Sequence, residues 1–355
     1  MNVLMITQKV DINDDILGFT HTWINKIAEK VDKLYVITLG KGETNLAKNV
    51  KLYSMGKEKS YNKLKLLFNF NKLIIKLINK TDVIFVHMSP LSTIIVAFYA
   101  KIYKIPIVMW YAHKHVDLKL KIAHFFANKV ITASKESFRL KSHKVKVIGH
   151  GIDTDKFKPI VAQEKPNQKY RILSVGRISP VKNYEVLISA ANILINKEKQ
   201  RNIEFVVIGG VPIKSQEGYF KKIKKMIAEF HLENYMKFIG SVPYTEVVKY
   251  YQNCDVFINT SLTGSVDKSG LEAMACGKPV LTCNEGYTGV FKDSAEKYIF
   301  DKHSPDDLVK KLQWILEEDM ESIGLTLRSI VEKEHSVDHL TIELVRVFQE
   351  VARGK

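Results

Sequence analysis

Cysteine is scarce in this chain of 355 residues. The three present, Cys254, Cys276 and Cys283, follow neither a disulfide framework nor a metal-ligand spacing. Two of them lie in apolar runs, so they read as small buried residues of a reducing compartment, and the expected location is cytoplasmic. The opening "MNVLMITQKVDIND" has too short an apolar run for a secretion signal and turns acidic at once. Internal repeats and low-complexity tracts are missing, and no aspartate pair stands in a context suited to a metal, so no metal is expected. Acidic residues are also few, with 38 Asp+Glu against 54 Lys+Arg and a formal charge of +16. That balance favours anionic partners such as nucleotides, phosphates or an acidic membrane surface. Much of the excess is lysine on helix faces, as in "KKIKKM", and reads as solvated surface. Nucleic acid is not expected as a partner, because no aromatic-interleaved basic patch or recognised module accompanies the charge.

What is present describes an ordinary globular protein, 46% hydrophobic and 26% charged. Its length suggests two domains. Short β-branched runs alternate with amphipathic helical patterns, the pattern of parallel α/β sheets. "VLMIT", "LYVIT", "DVIFV", "PIVMW", "KVITAS" and "VKVIG" are expected strands of the first half. "YRILSVG", "EFVVIGG", "MKFIG", "DVFIN" and "PVLTC" are those of the second. The polar "IVAQEKPNQK" between them reads as a linker. The expected fold is therefore two tandem doubly wound Rossmann-like domains facing each other across a cleft, with ligand at the carboxyl ends of strands. The domains are placed at residues 1–160 and 161–334, with a terminal helix over 335–355 packing back on the first. The stretch Val83 to Ala100 has no Lys, Arg, Asp or Glu, close to the about 18 apolar residues that suggest a membrane span. His87, Ser89, Pro90 and Ser92 split it, so strand, turn and buried helix are expected instead.

Two motifs carry chemistry. In "ILSVGRISPVKN" a buried strand ends at Val175, Gly176 lets the backbone turn, and Arg177 and Lys182 follow before the next helix. Fixed cations and free helix-start amides at a strand's carboxyl end make a diphosphate site. Alone, the same residues also describe an ordinary surface turn. In "SGLEAMACG", Ser269 and Gly270 open a short helix of small residues that permit close approach of a ligand, and Glu272 falls in its expected first turn. There it either stabilises the helix terminus, worth about 0.3–1 kcal/mol, or accepts hydrogen bonds from ribose hydroxyls.

"SVGRISPVKN", "IGSVPYTEVVKYYQNCDVFINTS" and "LEAMACGKPVL", in that order and spacing, resemble the donor domain of the retaining glycosyltransferases of family 4, which have the GT-B fold. "VIGHGIDTDKFKP" is similar to the family's strand leading into the interdomain hinge. The resemblance is strong from about Val147 to Cys283 and weaker before that. It implies that Arg177 and Lys182 bind the donor diphosphate beside Gly176, that Glu272 holds the ribose, and that Val242 and Pro243 frame the base. Ser269, Gly270 and Leu271 would present amides to phosphate. In the first domain it implies that Gly18 belongs to a glycine loop closing over the phosphates, and that His113 lies near the donor sugar. His113 and His87 also fit satisfied polar groups at strand ends, and His115 and His150 carry still less signal.

One departure stands out. The family pairs two glutamates with seven residues between them, and the place of the first is here Gly264. Either Asp267 takes over the sugar contact, or backbone amides do, or activity is altered. The expected activity is metal-independent transfer of a sugar from a nucleotide-diphosphate donor to a sugar or lipid-linked acceptor, with retention of configuration, in polysaccharide or glycolipid biosynthesis. A GT-B sugar-nucleotide epimerase and a non-catalytic nucleotide-sugar-binding protein are the alternatives. Clustered Lys with Leu, Ile and Phe in "YNKLKLLFNFNKLIIKLINK" suits either contact with an anionic membrane or packing on the helix's own sheet. The sequence sets no oligomeric state.

Overall fold

The computed structural model describes residues 1–14, 16–160, 169–211 and 216–354. The expected linker falls almost wholly outside the described residues. The chain divides into two compact units, Met1–Asp153 with Glu334–Lys355, and Thr154–Lys333.

The first unit is built on seven strands: β1 (Asn2–Val10), β2 (Lys33–Lys41), β3 (Val50–Ser54), β4 (Val83–His87), β5 (Ile107–Trp110), β6 (Lys129–Thr132) and β7 (Val145–Val147). They form one parallel sheet in the order β3-β2-β1-β4-β5-β6-β7. Six of the seven are the strands expected from β-branched runs. The exception is β3, an edge strand of sequence VKLYS with no fully buried residue. A strand that buries so little needs no apolar run, so periodicity does not mark it.

Side chains alternate across the sheet. Val3 and Met5 face Trp23 and Ile24 of the helix Phe19–Ala28 and Leu344 and Phe348 of the terminal helix Val337–Arg353. Leu4 and Ile6 face Phe70 and Ile74 of the helix Lys63–Ile78 and Val96 of the helix Pro90–Tyr103. A third helix on that side, Leu118–Phe126, packs Leu120 and Ala123 against Met109. The charge-free stretch from Val83 resolves as expected: β4 ends, Ser89 caps the next helix by accepting from the Ser92 amide, and Pro90 occupies its first turn. Among the described residues no helix is long and apolar enough to cross a membrane. The terminal helix joins the first unit through a parallel bridge between Ile152 and Ser336, with the Val337 amide donating to the Ile152 carbonyl at 2.7 Å.

The second unit holds β8 (Tyr170–Val175), β9 (Ile203–Ile208), β10 (Met236–Gly240), β11 (Val256–Asn259) and β12 (Val280–Thr282), again all parallel, in the order β10-β9-β8-β11-β12. All five match expected strands. The chain winds away from β8 in one direction and then returns to its other side at β11. The crevice beyond the carboxyl ends of β8 and β11 is thus the switch point where such sheets bind ligands.

The backbones at two neighbouring strand exits touch. Gly209, just past β9, has φ +145°, and a Cβ there would stand 2.0 Å from the Gly176 carbonyl oxygen. Gly209→Ala therefore has to push the β8 turn aside as well as strain its own backbone. We expect a loss of about 2–4 kcal/mol, read from urea unfolding. An unchanged midpoint would show that the two turns are not in contact.

Candidate functional site

The loop after β8 is held in place at several points. Tyr184 donates its hydroxyl to the Gly176 carbonyl at 2.7 Å, and the Ile178 amide donates to the Gly210 carbonyl at 2.9 Å. A single 3-10 turn, Pro180–Lys182, then brings the chain to the exit of β11. There the Thr260 hydroxyl donates to the Lys182 carbonyl, and the Leu262 amide donates to the Val181 carbonyl at 2.8 Å. The Lys182 side chain folds back over Gly176, where an added Cβ would stand 3.0 Å from Lys182 Cε. Glycine at 176 is the space that this lysine occupies. Arg177 stands exposed on the same turn.

The Lys182 ammonium pairs with Asp267 Oδ2 at 3.2 Å, both side chains being mostly buried. Asn259, the last residue of β11, donates its amide to the same oxygen at 3.1 Å. Asp267 occupies the N-cap position of the helix Lys268–Ala275 yet makes no capping bond with its side chain. Its carboxylate instead turns to the loop after β8. Lys182 and Asp267 are expected site residues that the structure brings into direct contact.

Three expectations for the helix need correction. Gly270 gives space to protein and not to ligand, since a Cβ there would meet the Tyr287 hydroxyl at 2.2 Å. That hydroxyl donates to the Asp267 carbonyl, and Leu271 is fully buried in the core. Glu272 is the fifth residue of the helix, which has no acidic residue in its first turn, so the helix dipole does not account for it. Gly264 has φ +65°, a left-handed conformation in which a glutamate would be strained. The turn is fixed by Asn284, whose side-chain amide donates to the Ser265 carbonyl at 2.7 Å.

Glu272 is buried and accepts two hydrogen bonds, from the Tyr244 hydroxyl on Oε1 at 3.1 Å and from the Tyr251 hydroxyl on Oε2 at 2.9 Å. Burial pushes its carboxyl upward, opposed by the charge of Lys268 one turn earlier and by the two tyrosines. Burial also pushes the Lys268 ammonium down, against the opposite pull of Glu272. Lys156 completes the surround, donating to the Tyr244 carbonyl at 2.8 Å with its ammonium 3.9 Å from the ring centroid. Sequence reasoning singled out neither tyrosine. The signal available was "YTEVVKYY", which sets three hydroxyl-bearing rings, Tyr244, Tyr250 and Tyr251, after Pro243. Val242 is half-buried and Pro243 exposed at the exit of β10, where the Pro243 carbonyl accepts from the Glu246 amide at 2.9 Å. Ser269 is half-buried at the helix start.

The expected residues of the first unit lie at its strand exits. His113, beyond β5, is exposed, and its Nδ1 accepts from the His115 amide at 3.0 Å. His87 is buried, its Nδ1 3.1 Å from the Thr7 hydroxyl and its ring edge-on to Trp23, so it is part of the packing. His150 is buried between two glycines of positive φ, Gly149 and Gly151. Gly18 starts the helix Phe19–Ala28 with φ −54°, which any residue adopts. Among the described residues, no group of three or more His, Cys, Asp or Glu is placed to hold a metal ion.

Comparison with known proteins bears on the second unit most directly. Residues 155–329 match the family model described as Glycosyl transferases group 1. The match covers nearly the whole of the second unit, Thr154–Lys333. Over 249 residues the chain is 27% identical to the amylovoran biosynthesis glycosyltransferase AmsK of Erwinia amylovora, covering 66% of this chain and 57% of that protein. Over 182 residues it is 27% identical to D-inositol 3-phosphate glycosyltransferase 2 of Catenulispora acidiphila, covering 49% of this chain and 43% of that protein. The chain thus spans about half the length of the curated relatives it matches. Among solved structures, HepE of Anabaena in complex with UDP aligns with a TM-score of 0.76 at 17% identity, over 99% of this chain and 100% of that one. Sucrose-phosphate synthase from Thermosynechococcus elongatus aligns with a TM-score of 0.77 at 14% identity, over the whole of both chains. The fold is therefore the one these structures share, two parallel-sheet Rossmann-like domains.

The tyrosine pair gives a direct test of how Glu272 is held. Tyr251→Phe removes one donor from a buried carboxylate and should cost about 1.5–3 kcal/mol of stability. Urea unfolding checks it, and a variant as stable as the parent would mean that the Tyr251 bond contributes nothing.

Proposed function

We propose that this protein transfers a sugar from a nucleotide-diphosphate sugar to an acceptor hydroxyl with retention of configuration, as a family 4 enzyme. The observation that carries the reading is Lys182, laid over Gly176 and pinned by Asp267 at the switch point of the second sheet. Arg177 stands on the same turn, and the start of the helix Lys268–Ala275 follows directly after Asp267. Fixed cations at a strand exit neutralise a diphosphate leaving group as the sugar gains oxocarbenium character. The bond from the anomeric carbon to the diphosphate oxygen breaks, and its electron pair stays with the diphosphate. The acceptor oxygen attacks from the same face, and its proton passes to the leaving phosphate oxygen. The cations are built into the chain, so the reading needs no metal.

Glu272 is assigned to the ribose, with Tyr244 and Tyr251 each supplying one hydrogen bond and the remaining lone pairs accepting from hydroxyls. Val242 and Pro243 frame the base, and Ser269 and Gly270 offer helix-start amides. Both hydrogen bonds to the Asp267 carboxylate fall on Oδ2, which leaves Oδ1 for a sugar hydroxyl in place of the glutamate that the turn at Gly264 disfavours. The name of AmsK, a biosynthetic glycosyltransferase, and HepE's bound UDP support a nucleotide-sugar donor. The proposal adds a sugar or lipid-linked acceptor and a product in polysaccharide or glycolipid synthesis, in the cytoplasm. An epimerase would release altered sugar without acceptor, and a pure binding protein would turn nothing over. Product analysis with and without acceptor separates all three.

Removing one preorganised charge at such a site costs about 2.7–4 kcal/mol of transition-state stabilisation, roughly 100-fold or more in rate. Arg177→Ala, at an exposed position, should keep its Tm and lose that much transfer. Lys182→Ala loses its ion pair as well, so its rate is read well below its own unfolding temperature. Near-normal turnover in either variant sinks the phosphate assignment. Asp267→Ala should damage transfer while sparing nucleotide binding, as read from kcat and from the nucleotide Kd. If both are unchanged, the sugar is held elsewhere.

A further inference from the structure

We propose that the outer side of three neighbouring helices in the first unit is a docking surface for an anionic lipid bilayer. Lys63–Ile78, Pro90–Tyr103 and Leu118–Phe126 lie side by side on one face of the sheet. The Tyr99 hydroxyl ties the first two together by donating to Asn71 Oδ1 at 2.7 Å. Each helix already spends an apolar stripe on the core: Phe70, Ile74 and Leu77 in the first, Val96 and Ala100 in the second, Leu120 and Ala123 in the third. Packing on the sheet therefore accounts for the inner stripe and leaves the outer one unexplained.

On the outer side stand large apolar side chains from all three helices. Leu64 is 78% exposed, Phe68 61%, Phe98 68%, Ile102 58%, Leu118 71% and Phe125 74%. Isolated exposed apolar residues are common, but a set spread over adjacent helices marks an interaction surface. Lysines run through it, among them exposed Lys65, Lys72, Lys101 and Lys121, and none of the three helices contains an aspartate or glutamate.

That charge chooses the occupant. A second copy of the same face would set lysine against lysine, and a neutral apolar partner would leave the lysines without counter-charge. An anionic bilayer satisfies both components, with Leu and Phe entering the headgroup and acyl boundary while lysine stems reach up to the lipid charges. None of these helices is long and apolar enough to cross a membrane, so the unit lies on the bilayer. The inference stands independently of the donor site in the second unit.

Co-sedimentation of the full chain with vesicles tests it, comparing phosphatidylcholine alone with an equal mixture of phosphatidylcholine and phosphatidylglycerol. Binding is expected to the mixed vesicles at low salt, weakened on the order of tenfold at high salt. The triple variant Phe68→Ser/Phe98→Ser/Phe125→Ser, altered only at exposed positions, should keep its Tm and bind at least ~10-fold more weakly. Lys65→Glu with Lys121→Glu should do the same through charge. No binding to mixed vesicles, equal binding to neutral ones, or wild-type binding by both variants would overturn the proposal. So would self-association that the triple variant abolishes while no vesicle binding is seen, because the face would then belong to a second copy.

Discussion

The ion pair between Lys182 and Asp267 ties together the two strand exits on which the proposed chemistry of the second unit depends. The lysine arrives from the loop after β8, and the aspartate from the loop after β11. Asn259 at the end of β11 supports the same carboxylate oxygen. A lysine on a surface turn has many rotamers, and holding it in one geometry costs entropy. Here the missing side chain at Gly176, the pinned backbone at Val181 and Lys182, and the buried counter-charge all select one placement. The positive charge is thus preorganised at the switch point, which is the property that makes charge useful to a departing diphosphate.

Glu272 obeys a related constraint. A carboxylate buried in a helix of small residues is expensive unless its lone pairs are met. Tyr244 and Tyr251 meet two of them, and Lys156 steadies Tyr244 in turn. The residues that hold the acid come from the segment after β10, so that segment and Glu272, the proposed base frame and ribose anchor, form one hydrogen-bonded assembly. This arrangement also explains why Gly270 is glycine. Its job is to admit Tyr287, whose hydroxyl fixes the backbone at Asp267.

Much of the fold was legible in the sequence because buried parallel strands are continuous apolar runs. Eleven of the expected runs became strands, and Pro90 divided the charge-free stretch where expected. The strand at Val50–Ser54 was not legible, since an edge strand with half-buried residues needs no such run. At the candidate site, Gly176 and Lys182 were singled out from their motif and Asp267 through the family resemblance, and the structure brings the three together. The tyrosines around Glu272 were not, because they lie about 20 to 30 positions earlier in the chain and only folding sets them against the acid. The helix dipole was a wrong reason for Glu272, since the helix begins at Lys268 and Glu272 lies beyond its first turn. The turn at Gly264 showed its left-handed backbone only in three dimensions.

The loops after β8 and β11 are proposed to form a diphosphate site in which Lys182 is the pinned charge. The most direct measurement is a thermal-shift panel of UDP-, GDP-, ADP- and CDP-sugars on the full chain and on Lys182→Ala. A ligand present at about 100 times its Kd stabilises the folded state by ~2.7 kcal/mol, well within reach of the method. At least one nucleotide class is expected to stabilise the parent protein, and the same ligand to leave the variant unstabilised. A panel in which no ligand stabilises the parent, or in which parent and variant respond equally, would contradict it.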